Sequence, residues 1–291
     1  MRMQFWRDTI TRSLAFSPPK EPIAILLGHA AASLSARTDQ RARLSKTWLH
    51  RMINTREQYL SNPPYPNLGA VEAYAENTYS TLMYLTLSAI PLTSITADHI
   101  ASHIGKAQGI TAVLRGLPHI AFPAPPKTHS PENALGGALP GTGRQGSVPL
   151  PLDIMAEAGV REEEVMRKGS EATGLKDAVF QVATRASDHL ITAREMLKNI
   201  QKGQDVGHDF EHSDDSEHAR GREDMPAPAV SAQAKEVERA FGVFMPAIST
   251  QMWLDRLQKV DFDIFDRSLA TVGSDWKMPW KAYWAFSRRK F

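Results

Sequence analysis

His103, Lys106 and Arg115 are the titratable residues of a mostly apolar stretch, Ala101 to Leu117. Its helical spacing predicts one uninterrupted helix, ended by Pro118. An imidazole, an ammonium and a guanidinium can hold an anion such as a headgroup or a diphosphate. The stretch has no acid, so it cannot by itself hold a hard divalent cation, which needs oxygen ligands. His99 and His103 stand at i and i+4, a spacing that suits a pair of metal ligands on a helix. No third ligand is evident, so a structural role is the stronger reading.

Tyr74 and Asn77, with Tyr79 and Tyr84, lie on the helical stretch just before it and could line a cavity. Core packing or capping accounts for most of these four equally well. His208, His212 and His218 fall in an acidic segment nearly devoid of apolar residues, which reads as solvated chain. Asp261 and Asp263 resemble an acidic pair, but their spacing puts them on one side only in an extended segment. Phe262, Ile264 and Phe265 around them read as anchors on a core, with the two acids capping or pairing locally.

These residues need helices to position them, and nearly every structured segment reads as helix. The expected helices are Met3–Leu14, Pro22–Leu34, Arg41–Leu60, Asn67–Ile90 and Thr96–Leu117. Further helices are expected over Leu175–Ile200, Ala232–Phe244 and Ser249–Val260. Leu44, Trp48, Leu49, Met52 and Ile53 form the apolar stripe of the third. Thr96 reads as an N-cap with Asp98 in the first turn. No segment alternates with period two. The fold class is therefore all-α: one helical bundle over residues 1–291, with ligand sites between facing helices. Residues 123–147, rich in Pro and Gly, and 201–228, acidic and His-containing, are expected to be disordered insertions.

The chain has 291 residues, of which 42% are hydrophobic and 23% charged, enough for one large core. A net charge of +2 without a basic cluster does not point to nucleic acid. The absence of cysteine excludes disulfides, thiolate metal sites and a Cys nucleophile. No run approaches the roughly 18 apolar residues that would span a bilayer. The last residues, Trp276 to Phe291, combine large aromatics with basic side chains, a composition that suits a membrane interface. A terminal helix docked on the core is the rival reading.

Several segments, in order, resemble the squalene/phytoene synthase superfamily, and within it the mitochondrial complex I assembly factor 6 family. They are Tyr74-Ala-Glu-Asn-Thr78 followed by Leu85-Thr-Leu87; Ala97-Asp-His99 with Ala101 to Ile110; Leu150-Pro-Leu-Asp-Ile154; and Val260 to Phe265. The resemblance implies an isoprenoid-synthase-like bundle. Active members hold a diphosphate through Mg²⁺ and two Asp-rich motifs on opposing helices. The second motif resembles this helix aligned on Gly105 and Arg115. On that alignment Ala112 stands where Asn or Asp belongs and Gly116 where Asp belongs. The first motif is expected before Met1, together with earlier helices.

What this implies is a prenyl-synthase-like pseudoenzyme that serves as a non-catalytic assembly factor for mitochondrial respiratory complex I. Its location would be the matrix side of the inner membrane, with the transit peptide outside this chain. Its partners would be complex I subunits or other assembly factors, with a lipid or isoprenoid ligand and peripheral membrane contact left open. No cofactor is expected. Tyr74, Asn77, His103, Lys106 and Arg115 are the residues expected to line a remnant cavity or bind an anion. The alternatives are an isoprenyl diphosphate transferase, which would need Mg²⁺, and an isoprenoid- or lipid-binding module.

Overall fold

The computed structural model describes residues 2–90, 92, 95–123, 146–203, 227–270 and 276–291. All regular structure among the described residues is helical. The order is α1 (Arg2–Leu14), α2 (Pro22–Arg37), α3 (Lys46–Gln58), α4 (Leu68–Ala75), a π-helical turn (Glu76–Ser80), α5 (Thr81–Leu87) and α6 (Ile95–Ala121). Then come α7 (Leu152–Glu157), α8 (Glu162–Lys168), α9 (Leu175–Gln201), α10 (Ala227–Ala240), α11 (Pro246–Lys259), α12 (Arg267–Ala270) and α13 (Met278–Arg288). Short 3₁₀ turns follow α8 and α10.

Side-chain caps set several starts. The Glu21 carboxylate accepts from Ala24 N–H at 2.7 Å, and Pro22 supplies the first helical φ of α2. Asn67 Oδ1 accepts from Ala70 N–H at 2.9 Å to open α4. Ser45 caps α3, so this helix begins at Lys46 and not at Arg41. The expected helix Asn67–Ile90 is split into α4 and α5 by the π turn, where one extra residue enters the hydrogen-bond ladder.

Two expectations on α6 are corrected. It starts at Ile95, so Thr96 lies inside it and its hydroxyl faces Gln233 Oε1 at 3.5 Å. It also runs through Pro118 to Ala121. Leu117 and Ala121 are buried, and that packing outweighs the one backbone hydrogen bond a proline forfeits near a helix end. Phe122 N–H closes the last turn on Pro118 O at 3.1 Å.

α6 is the central post of the bundle. Ile100, Ile104, Ile110, Leu114 and Leu117 on it are fully buried. α9 lies along it and offers Ala178, Val179, Val182, Ala186, Leu190 and Ala193, an i, i+3, i+4 stripe of mostly small residues that lets two long helices run close together. On other sides α6 meets α4, the π turn, α5 and α11. Phe241, Phe244 and Leu257 complete the core at the C-terminal end. α1 packs on α2 and α3.

Most of the two expected insertions lies outside the described residues. Gln201 ends α9, and residues 227 and 228 already belong to α10. After α11 the backbone turns through positive φ at Asp261 and Phe262. Ile264 is buried, Phe262 meets Phe180 at 5.0 Å, and Phe265 meets Phe122 at 5.5 Å. Asp261 pairs with Lys176 at 2.9 Å, and Asp263 Oδ1 accepts from Phe265 N–H at 3.0 Å.

Candidate functional site

The interior of the bundle carries a polar seam between α4, the π turn, α6 and α9. Glu72 on α4 sits at its centre. Its Oε1 accepts from the Arg185 guanidinium and from His189 Nε2 at 2.9 Å, both on α9. His189 is buried, and its Nδ1 lies 3.0 Å from His103 Nδ1 on α6. The carboxylate fixes the proton of His189 on Nε2. When His189 is neutral, its Nδ1 is an acceptor and His103 Nδ1–H is the donor. Burial raises the proton affinity of Glu72, but the hydrogen bonds and charges of His189 and Arg185 outweigh it and hold the carboxyl at about 2.

Glu76, one turn on, heads a second network. Tyr84 O–H donates to its Oε1 at 2.6 Å, and Ser102 O–H donates to its Oε2 at 2.8 Å. Burial, together with the neighbouring carboxylate, pushes the Tyr84 phenol well above its ordinary value. Ser80 O–H donates to Ser102 O at 3.0 Å, closing the seam.

Small residues on α6 let these groups approach. A Cβ on Gly105 would lie 2.5 Å from Ser80 N, and one on Gly109 would lie 2.7 Å from Ala75 Cα. At about 100° per residue, Ala112 and Gly116 fall on the same narrow stripe of α6 as these two glycines. A Cβ on Gly116 would meet only Ile120 Cδ1, at 3.7 Å, so the helices have parted there.

The expected site residues separate into different places. His103 belongs to the interior seam. Tyr74 is buried in an aromatic cluster, edge-on to Tyr59 at 5.0 Å and Tyr65 at 5.8 Å, with Arg56 over its ring at 5.6 Å. Asn77 accepts a hydrogen bond from Arg51 on α3. Lys106 is half-buried and Arg115 exposed, and none of the described ion pairs includes either. Nine residues apart, they point to opposite sides of α6, so they do not converge on one headgroup. His103 faces His189 on α9.

Glu72, Glu76, Ser102, Arg185 and His189 were not among the expected residues. Their signal is charge or imidazole on an apolar helix face. Glu72 and Glu76 are the acids in Leu68–Leu87, and His189 lies between Ala186 and Ala193.

Mg²⁺ takes about six oxygen ligands in near-octahedral geometry. The inward acids here do not fit that requirement. Both oxygens of Glu76 accept from hydroxyls, and Glu72 is engaged by two nitrogen donors. Among the described residues no group of three or more His, Asp or Glu could hold a metal ion. What the seam does is join four helices through satisfied hydrogen bonds.

Comparison with known proteins places this geometry. The squalene/phytoene synthase pattern matches residues 1–121 and 138–208. The chain is 33% identical over 269 residues to a Rattus norvegicus protein named NADH dehydrogenase (ubiquinone) complex I, assembly factor 6, covering 92% of this chain and 61% of that protein. The Homo sapiens protein of the same name is 32% identical over the same coverage. The chain thus spans about 61% of the length of these relatives. A crystal structure of a dehydrosqualene synthase in complex with ligand superposes with a TM-score of 0.63 at 12% identity, covering 99% of this chain and 77% of that one. That likeness speaks to the fold, and the sequence match to the lineage: the chain belongs to the squalene/phytoene synthase family.

Proposed function

We propose that this protein is a non-catalytic assembly factor for mitochondrial respiratory complex I, a synthase-like bundle working at the matrix side of the inner membrane. The observation that carries the reading is the stripe on α6. The two positions that the family resemblance gives to metal-binding residues hold Ala112 and Gly116, with space but no acid at the second. Without carboxylates there, the charge needed to hold a diphosphate and stabilise its departure is missing on this helix. The inward acids that remain, Glu72 and Glu76, are spent on helix-to-helix hydrogen bonds. The curated relatives, which bear an assembly-factor name, support the same reading. Its partners are then complex I subunits or other assembly factors.

The test is genetic and enzymatic together. Cells lacking the gene should lose assembled complex I and NADH-linked respiration, and a wild-type copy should restore both. Normal complex I in those cells refutes the proposal. So does Mg²⁺-dependent turnover of farnesyl or geranylgeranyl diphosphate by the purified full-length protein.

A further inference from the structure

α13 lies on the outside of the bundle, with Trp280, Tyr283 and Trp284 turned away from the body and Phe286 toward Phe241. Ala282 and Ala285 are its half-buried residues, and it packs on α11. Its far end is tied down: Gln201 Nε2 donates to Arg289 O at 2.8 Å, and Arg194 Nε donates to Phe291 O at 2.9 Å. Arg289 stacks on Phe286 and Phe241. The helix is therefore held on the body by its two half-buried alanines, by backbone oxygens, and by Phe286 and Phe291, whose rings lie 6.3 and 6.1 Å from that of Phe241.

Its outer face is aromatic. Trp276, Trp280, Tyr283 and Trp284 are 69%, 62%, 63% and 52% exposed. At about 100° per residue Trp280, Tyr283 and Trp284 share an arc of roughly a quarter turn, and Trp276 is exposed in the turn just before the helix. Tryptophan and tyrosine couple a large apolar ring to a polar N–H or O–H, so they settle at the boundary between headgroups and acyl chains. Along one border of that arc lie Lys277, Lys281 and Arg288, with Lys290 just beyond. Lys277 sits over the Trp276 ring at 5.7 Å and Arg288 over Trp284 at 4.7 Å. No described ion pair engages any of these four cations. From 276 to 291 there is no acid. No helix among the described residues is long and apolar enough to cross a membrane.

We propose that α13 is an interfacial element that lies flat on an anionic lipid bilayer, with Trp276, Trp280, Tyr283 and Trp284 at headgroup depth and Lys277, Lys281, Arg288 and Lys290 against lipid phosphates. Charge selects this occupant: a one-signed cationic border beside amphipathic rings is complementary to an anionic surface, whereas protein interfaces are depleted in lysine. The surface is independent of the assembly role, because lipid binding is read with purified protein and complex I is read in cells.

The test is flotation of the purified protein with vesicles of phosphatidylcholine alone and of phosphatidylcholine with about one-third phosphatidylglycerol, at low and high salt. The protein should float with the anionic vesicles, and high salt should release much of it. The triple variant Lys277→Glu, Lys281→Glu, Arg288→Glu should lower partitioning by more than about tenfold. Trp280→Ala with Trp284→Ala should weaken it at both salts. All five positions are exposed, so circular dichroism should show each variant folded. Failure of the wild type to float overturns the proposal. Equal flotation of wild type and charge-reversed protein does so too, as would variants that lose a protein partner while the wild type ignores lipid.

Discussion

Glu72→Gln tests whether the interior seam stabilises the bundle through charge. Gln keeps the shape and one acceptor oxygen, so Arg185 and His189 can still donate to it, and the change removes mainly the negative charge. The wild-type carboxyl is held at about 2 against an ordinary 4.5. At ~1.36 kcal/mol per tenfold change in proton affinity, the ceiling on that charge effect is about 3 kcal/mol. Glu72 is 19% exposed and Arg185 37% exposed, so solvent screens part of it. An effect of about 1–2 kcal/mol is the expectation near neutral pH. The sign follows from linkage. The folded carboxyl binds its proton more weakly than the unfolded one. Its contribution is therefore fully present above about 4.5 and is lost as the pH falls toward 2. Urea unfolding followed by circular dichroism, for wild type and variant at a series of pH values, gives the difference directly. The variant should be less stable at neutral pH, with the gap closing as the pH drops below about 4.5. A gap that is unchanged at the acid end, or a variant more stable at neutral pH, refutes the argument.

The helix crossing gives the next expectation. Gly105→Ala and Gly109→Ala should each cost about 1–3 kcal/mol or more in thermal unfolding, because the new methyl meets the Ser80 backbone or Ala75. Gly116→Ala on the same stripe should be neutral or stabilising by up to ~1 kcal/mol, since only Ile120 is near and the helix gains an alanine. Equal losses at all three sites would deny the crossing. Tyr74→Ala should cost about 3–5 kcal/mol by emptying the space beside Tyr59 and Tyr65, while Tyr74→Phe should stay within about 1 kcal/mol in the same measurement.

Helix existence was legible because it rests on local periodicity. α9 repeats buried residues from Leu175 to Ile200 at three- and four-residue spacing; it starts at the expected residue and ends one residue later than expected. Boundaries failed where a tertiary contact decides them. Pro118 carries a strong local stop, yet the buried Leu117 and Ala121 keep the last turn of α6 in place. The π turn at Glu76–Ser80 leaves no mark in composition. Its visible partners are Gly105 and Ser102, more than twenty residues away along the chain.

The site was legible only as far as one helix can be read alone. His103, Lys106 and Arg115 share a stretch of sequence, so they look like one constellation, but helical phase alone separates Lys106 from Arg115 by half a turn. The partner that gives His103 its role, His189, is 86 residues away on α9. It is drawn there by Glu72, a residue on a third helix. A lone histidine between alanines and a lone glutamate in an apolar helix each carry a desolvation cost that nothing nearby in sequence offsets. Two such costs on helices that pack together resolve each other when paired. That pairing rule, applied across helices and not along one, would have placed Glu72 beside His189, and it accounts for an acid in the bundle interior.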